Sequence, residues 1–174
     1  MVGAVVALAI AAPSRAQMSV TTFGATDAQE CFKNASRESN RDTTPCDDAL
    51  RGYLGSADRQ ATLVNRGIIL NRLGRLMEAR EDFNAALATN SALPEAYLNR
   101  GNTYYLAGRD DQAIRDYELS LQYGVSEPWS AWFNIGLAYE SKGDREKARE
   151  AYQKALDLSP GFTQAQAKLA SLTQ

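Results

Sequence analysis

The chain has 174 residues, of which 44% are hydrophobic and 23% charged, with a formal net charge of −2, the balance of a folded domain with a core of its own. Without a basic excess it lacks the electrostatic footprint of a nucleic-acid binder, and with no histidine it lacks the commonest general base and all imidazole metal ligation. No Gly-rich phosphate loop, Cys-x-x-Cys or Gly-x-Ser-x-Gly replaces them, so no catalytic residue, metal site or cofactor is expected.

Residues 1–16 read as a signal peptide. The run "VGAVVALAIAA" has the length of a signal-peptide apolar core and is too short to cross a bilayer, and Ser14-x-Ala16 suits cleavage before Gln17. The run lacks a basic lead, and a short buried helix is the alternative. Cleavage implies an exported protein, in a bacterial periplasm, with no stable membrane insertion and with residues 17–25 as a flexible segment.

Cys31 and Cys46 are the two cysteines, and an exported chain with a single pair usually oxidises it. Thr26 with Gln29 resembles a capping box that opens a helix. The run "SNRD" ends that helix, and Thr44-Pro45 opens the next, with Thr44 as N-cap and Pro45 at the first helical position. Residues 26–58 are therefore expected to form a disulfide-linked helical hairpin, the bridge contributing roughly 3 kcal/mol in the chain-entropy model. Two buried free thiols are the alternative.

From residue 60 the chain repeats. Gly67, Gly101 and Gly136 lie 34 and 35 residues apart, and each is followed seven residues later by Gly74, Gly108 or Gly143. Twelve residues after the first glycine come Ala79, Ala113 and Ala148, and sixteen after it come Phe83, Tyr117 and Tyr152. This period predicts two helices and a tight turn per unit, with units at about 60–93, 94–127 and 129–160. Small residues let paired helices approach, aromatics fill the space beside them, and stacking supplies a core that one unit cannot make alone. Phe162, Ala165, Leu169 and Leu172 share one helical face, which predicts a capping helix over 161–174. Ala49 and Tyr53 repeat the spacing of Ala79 and Phe83, so the cysteine hairpin reads as a degenerate unit that caps the other end.

The third unit carries Trp132-x-x-Ile135-Gly136-x-x-Tyr139, then Ala148-x-x-x-Tyr152, Ala155 and Pro160. This pattern resembles the tetratricopeptide repeat (TPR). The first two units depart from it with Leu63 and Tyr97 at the Trp position, Arg66 and Arg100 before the glycine, and Ser91 and Val125 at the Pro position. The resemblance implies an all-α, right-handed solenoid of stacked antiparallel helix pairs, about nine helices with the caps. It also implies a non-catalytic scaffold that binds an unknown protein or extended peptide on its concave face. A self-associating module of the cell envelope, a homo-oligomer, is the alternative.

Two residue types remain to be explained. Arg66 has Asp82 sixteen residues on, Arg100 has Asp116 sixteen residues on, and the third unit puts Ile135 and Ala151 at the same two places. Charges that appear and vanish together read as ion pairs between the two helices of a unit; a basic site for an acidic ligand is the alternative. Asn65, Asn99 and Asn134 precede the first glycines by two. In TPR proteins this position lies on the inner surface, so the resemblance implies an amide ladder holding a peptide backbone, facing solvent when no ligand is bound; packing between units is the alternative. The neighbouring positions, Val64, Leu98 and Phe133 before each Asn and Ile68, Asn102 and Leu137 after it, would supply a largely apolar groove. Val64 and Ile68 stand where some TPR adaptors carry the Lys and Asn of a carboxylate clamp, so that clamp is absent.

Overall fold

The computed structural model describes residues 26–172; the expected signal peptide and the segment 17–25 lie outside the described residues. Among the described residues there are nine helices and no strand. They are α1 (Thr26–Ser36), α2 (Thr44–Arg51), α3 (Ser56–Arg72), α4 (Leu76–Thr89), α5 (Pro94–Leu106), α6 (Asp110–Gln122), α7 (Pro128–Ser141), α8 (Arg145–Leu158) and α9 (Thr163–Leu172). α3 packs on α4, α5 on α6 and α7 on α8, and each pair packs on the next. The protein is an all-α solenoid of stacked helix pairs.

The turn inside each pair is built the same way three times. Gly74, Gly108 and Gly143 have φ of 73°, 69° and 78°, a region that a side chain disfavours. There the N–H of the following residue reaches back to the last helical turn: Arg75 to the Leu70 carbonyl at 3.0 Å, Arg109 to Tyr104 at 2.8 Å and Asp144 to Tyr139 at 2.9 Å. This closure satisfies carbonyls that the helix end would otherwise orphan.

The first glycine of each unit has a different task. A Cβ on Gly67 would lie 2.6 Å from the Phe83 ring, on Gly101 2.6 Å from the Tyr117 ring, and on Gly136 2.4 Å from the Tyr152 ring. Real Cβ atoms do not come so close. The ring sixteen residues on therefore rests against a bare Cα, and Phe83, Tyr117 and Tyr152 are each at most 1% exposed. Around these rings Ala79, Ala113 and Ala148, each 0% exposed, hold the backbones of the pair close together.

The two ends are closed differently. At the C-terminus Phe162, Leu169 and Leu172 of the last segment pack on the cluster of Phe133, Ala148 and Tyr152. Trp129 meets Phe162 edge-on at 4.7 Å, which makes it a lid over the last joint. At the N-terminus the Cys31–Cys46 disulfide (Cα–Cα 4.7 Å) ties α1 to α2 and packs with Ala35 against Ile69 of α3. Two expectations need correction here. The N-cap of α2 is Thr43, whose hydroxyl lies 3.0 Å from an Asp47 carboxylate oxygen, and Thr44 is the first helical residue. Tyr53 is fully exposed while Ala49 is buried, because α2 stops at Arg51, before Tyr53 could take the place of Phe83; the disulfide fills the core instead.

Gly101→Ala tests the ring contact. Helix propensity alone would favour the alanine by about 1 kcal/mol, yet overpacking costs typically 1–3 kcal/mol. The expected result is a net loss of up to about 2 kcal/mol in urea unfolding. Gly161→Ala, which meets nothing within 4 Å, should leave stability within about 0.5 kcal/mol.

Candidate peptide-binding face

α3, α5 and α7 stand side by side, so they form one continuous face across the three units. The position before each Asn does not line an open groove. Val64 is 0%, Leu98 6% and Phe133 1% exposed, and each belongs to a buried apolar cluster. The expectation that they receive a ligand's side chains is corrected: on a stacked helix these positions turn toward neighbouring helices, and spacing alone does not tell that side from the open one. Ile68 and Leu137 are half-buried and packed against the same clusters.

The asparagines divide in two. Asn65 and Asn134 are each 5% exposed, so the expectation that they face solvent is also corrected. Asn134 donates to Asn102 Oδ1 at 3.0 Å, a bond from the third unit to the second. Asn99 and Asn102 remain half-exposed. Asn99 Nδ2 donates to the Glu95 carbonyl at 2.8 Å, and Tyr117 Oη donates to Asn102 Oδ1 at 2.9 Å. Burial pushes the Tyr117 phenol well above its ordinary range, so it stays a donor. The first and second units are joined by Asn71, whose Oδ1 accepts from Thr103 Oγ1 at 3.0 Å and whose Nδ2 donates to the Asn99 carbonyl at 3.3 Å.

The arginines are committed inside the fold. Arg66 grips Asp82 through Nε (2.8 Å) and Nη2 (2.7 Å), and Arg100 grips Asp116 through Nε (2.7 Å) and Nη2 (2.9 Å). Both carboxylates are nearly buried, with side chains 6% exposed. Each arginine also reaches the previous pair, Arg66 to Asp47 Oδ1 and Arg100 to Asn84 Oδ1, both through Nη1. The bond to Asp82 raises the Arg66 guanidinium further above its ordinary value, and the bond to Asp116 does the same for Arg100. These are structural bridges within and between units. These second partners were hidden in the sequence, since Asp47 lies 19 residues before Arg66 and Asn84 16 before Arg100, with neither residue type nor spacing shared.

Arg72 was also missed. Its guanidinium donates to the Asn34, Ala35 and Arg37 carbonyls at the end of α1, which clasps the hairpin to the first unit. At the other end Glu140 accepts from Tyr152 Oη at 2.6 Å and from Lys168 Nζ at 2.9 Å. Among the described residues no group of His, Cys, Asp or Glu could hold a metal ion, and no helix is long and apolar enough to cross a membrane.

Comparison with known proteins gives one consistent result. Residues 58–124 and 129–162 match two family profiles, both described as tetratricopeptide repeat. The mouse superkiller complex protein 3 is 30% identical over 103 residues, which is 54% of this chain and 6% of that protein, so this chain spans only a small part of that relative. Among solved structures, the MamA RS-1 ArsTM double mutant superposes with a TM-score of 0.67 at 23% identity, covering 83% of this chain and 78% of that one. The first TPR of Spaghetti (RPAP3), solved with an HSP90 peptide SRMEEVD, superposes with a TM-score of 0.62 at 21% identity, covering 67% and 91%. At these identities the structural likeness concerns the fold.

The arginine bridges are open to a direct test. Arg100→Ala leaves Asp116 nearly buried and unpaired, and thermal unfolding should show a loss of about 2–3 kcal/mol, below the roughly 3–5 kcal/mol of a fully buried pair. Arg100→Leu with Asp116→Ala, the chemistry of Ile135 and Ala151, should recover most of it. A single variant that melts like the parent contradicts the bridge.

Proposed function

We propose that this chain, which belongs to the tetratricopeptide repeat family, is an exported, non-catalytic scaffold that holds an extended segment of a partner protein on the face formed by α3, α5 and α7. The observation that carries the reading is the exposure pattern of that face. The other asparagines of the repeated position are buried, but Asn99 and the neighbouring Asn102 stay only half-buried at the middle of the stack. Half-buried Ile68 and Leu137 flank them on α3 and α7. A few polar groups set among apolar side chains is the composition that recognition sites favour. Export is supported by the apolar leader and by a disulfide whose two cysteines are fully buried, since such bridges persist in oxidising compartments.

A photoreactive residue at Leu137, with Tyr53 as the control site far along the chain, tests the face in the native host. Crosslinked protein adducts should form from position 137 and not from position 53; the reverse pattern, or none at 137, rejects this face. Cell fractionation with thiol titration tests export. The protein should sit in the envelope fraction with no reactive thiol after denaturation, and a cytoplasmic pool carrying two thiols would reject it.

A further inference from the structure

α5 carries Glu95, Asn99, Asn102 and Leu106 at i, i+4, i+7 and i+11, which puts them in one line on one helical face. All four are half-buried. The line has a fixed chemical order. Glu95 makes no salt bridge among the described residues. Asn99 has its amide nitrogen turned to the Glu95 carbonyl at 2.8 Å, and its Oδ1 has no donor among the described residues. Asn102 is the reverse: its Oδ1 is taken by two donors, Tyr117 Oη at 2.9 Å and Asn134 Nδ2 at 3.0 Å, and its Nδ2 has no acceptor among the described residues. With its oxygen accepting from both Tyr117 and Asn134, Asn102 turns its amide nitrogen to the open side. The stripe therefore reads carboxylate, acceptor, donor, apolar.

A residue in an extended chain offers its N–H and C=O on the same edge, as in a pair of strands where both are exchanged. Oδ1 of Asn99 and Nδ2 of Asn102 form the complement of that edge. Charge selects further. Each Arg and Lys of α3, α5 and α9 already donates within the fold, Arg59 to Leu50, Arg66 to Asp82 and Asp47, Arg72 to the end of α1, Arg100 to Asp116 and Asn84, and Lys168 to Glu140, and α7 has neither residue. The face thus offers an acidic partner no unengaged cation, and it offers a basic partner Glu95.

We infer that the α5 stripe reads a neutral-to-basic extended segment whose main chain runs in the direction of α5. Its N–H meets Asn99, its C=O meets Asn102, a Lys or Arg on its N-terminal side meets Glu95, and an apolar side chain on its C-terminal side meets Leu106. The inference rests on the peptide-binding reading above and narrows it to a segment chemistry and a direction.

The probe is a random library of peptides about a dozen residues long, selected on the full chain, with the winners measured by calorimetry. Selected peptides should be enriched in Lys and Arg over Asp and Glu, with the basic residue N-terminal to the apolar one. Asn102→Asp keeps an acceptor for Tyr117 and Asn134 and replaces the donor with a charged acceptor that repels a peptide carbonyl; it should weaken a selected peptide whose basic residue is replaced by Ala about tenfold with an unchanged melting temperature. Glu95→Gln should weaken peptides with a basic residue and spare those whose basic residue is replaced by Ala. If Asn102→Asp unfolds the chain, Asn99→Ala, which loses one bond within its own helix, carries the same expectation for affinity. Peptides that compete at Leu137 yet ignore Asn102, Asn99 and Glu95, or that are acidic, overturn the inference and leave the peptide-binding reading standing. No selected peptide at this face overturns both.

Discussion

Each unit depends on an aromatic ring laid against a bare glycine Cα. At Gly67, Gly101 and Gly136 the ring from the second helix occupies the space of a methyl group, so the helices cross at a separation that any larger residue would widen. Everything at the joint inherits that separation. The guanidinium of Arg66 or Arg100, one residue before its glycine, meets a carboxylate one residue before the ring. The phenol of Tyr117 reaches Asn102 because the Cδ1–Cε1 edge of its ring already rests against Gly101. Dispersion from such close contact is small per atom and large in sum, and here it also sets the geometry for the polar bonds.

Polar bonds act between units as well as within them. Asn71 joins the first unit to the second, and Asn134 joins the third to the second. Arg66 and Arg100 add a third contact that reaches back to the preceding second helix. Buried polar groups are costly unless satisfied, so a stack shifted by one residue would leave several of them unpaired. Apolar stacking alone discriminates less well among such shifts. Asn102 and Asn134, expected to serve a ligand, thus serve the register, and in the middle unit Asn99 and Asn102 keep exposure for something else.

The fold was legible because its signals are periodic. Gly67, Gly101 and Gly136, with their aromatics and alanines, announce helix pairs at fixed separation, and the Arg–Asp coincidence announces its own bonds. The site was less legible. Val64, Leu98 and Phe133 share a helix side with groove positions in sequence, yet a shift of one residue turns a side chain by about 100°, from an open face to a neighbouring helix. Tyr53 misled in a similar way, since spacing from Ala49 predicted a core ring while the end of α2 at Arg51 left it in solvent. Arg72 and Asp47 could not be read at all, because their partners lie on the hairpin, whose placement follows from tertiary packing and not from the repeat.

The two separations in the chain are not equally free to vary. Every turn within a pair has three residues, 73–75, 107–109 and 142–144, whereas the link between α4 and α5 has four, 90–93, and that between α6 and α7 has five, 123–127. The ring and the carboxylate both count sixteen residues from their partners, so one inserted residue inside a pair would break the glycine contact and the ion pair together. One inserted between pairs breaks neither, and the chain itself carries such an insertion in its second link. Length change in this architecture is therefore confined to the seams, where the protein can be extended without being redesigned.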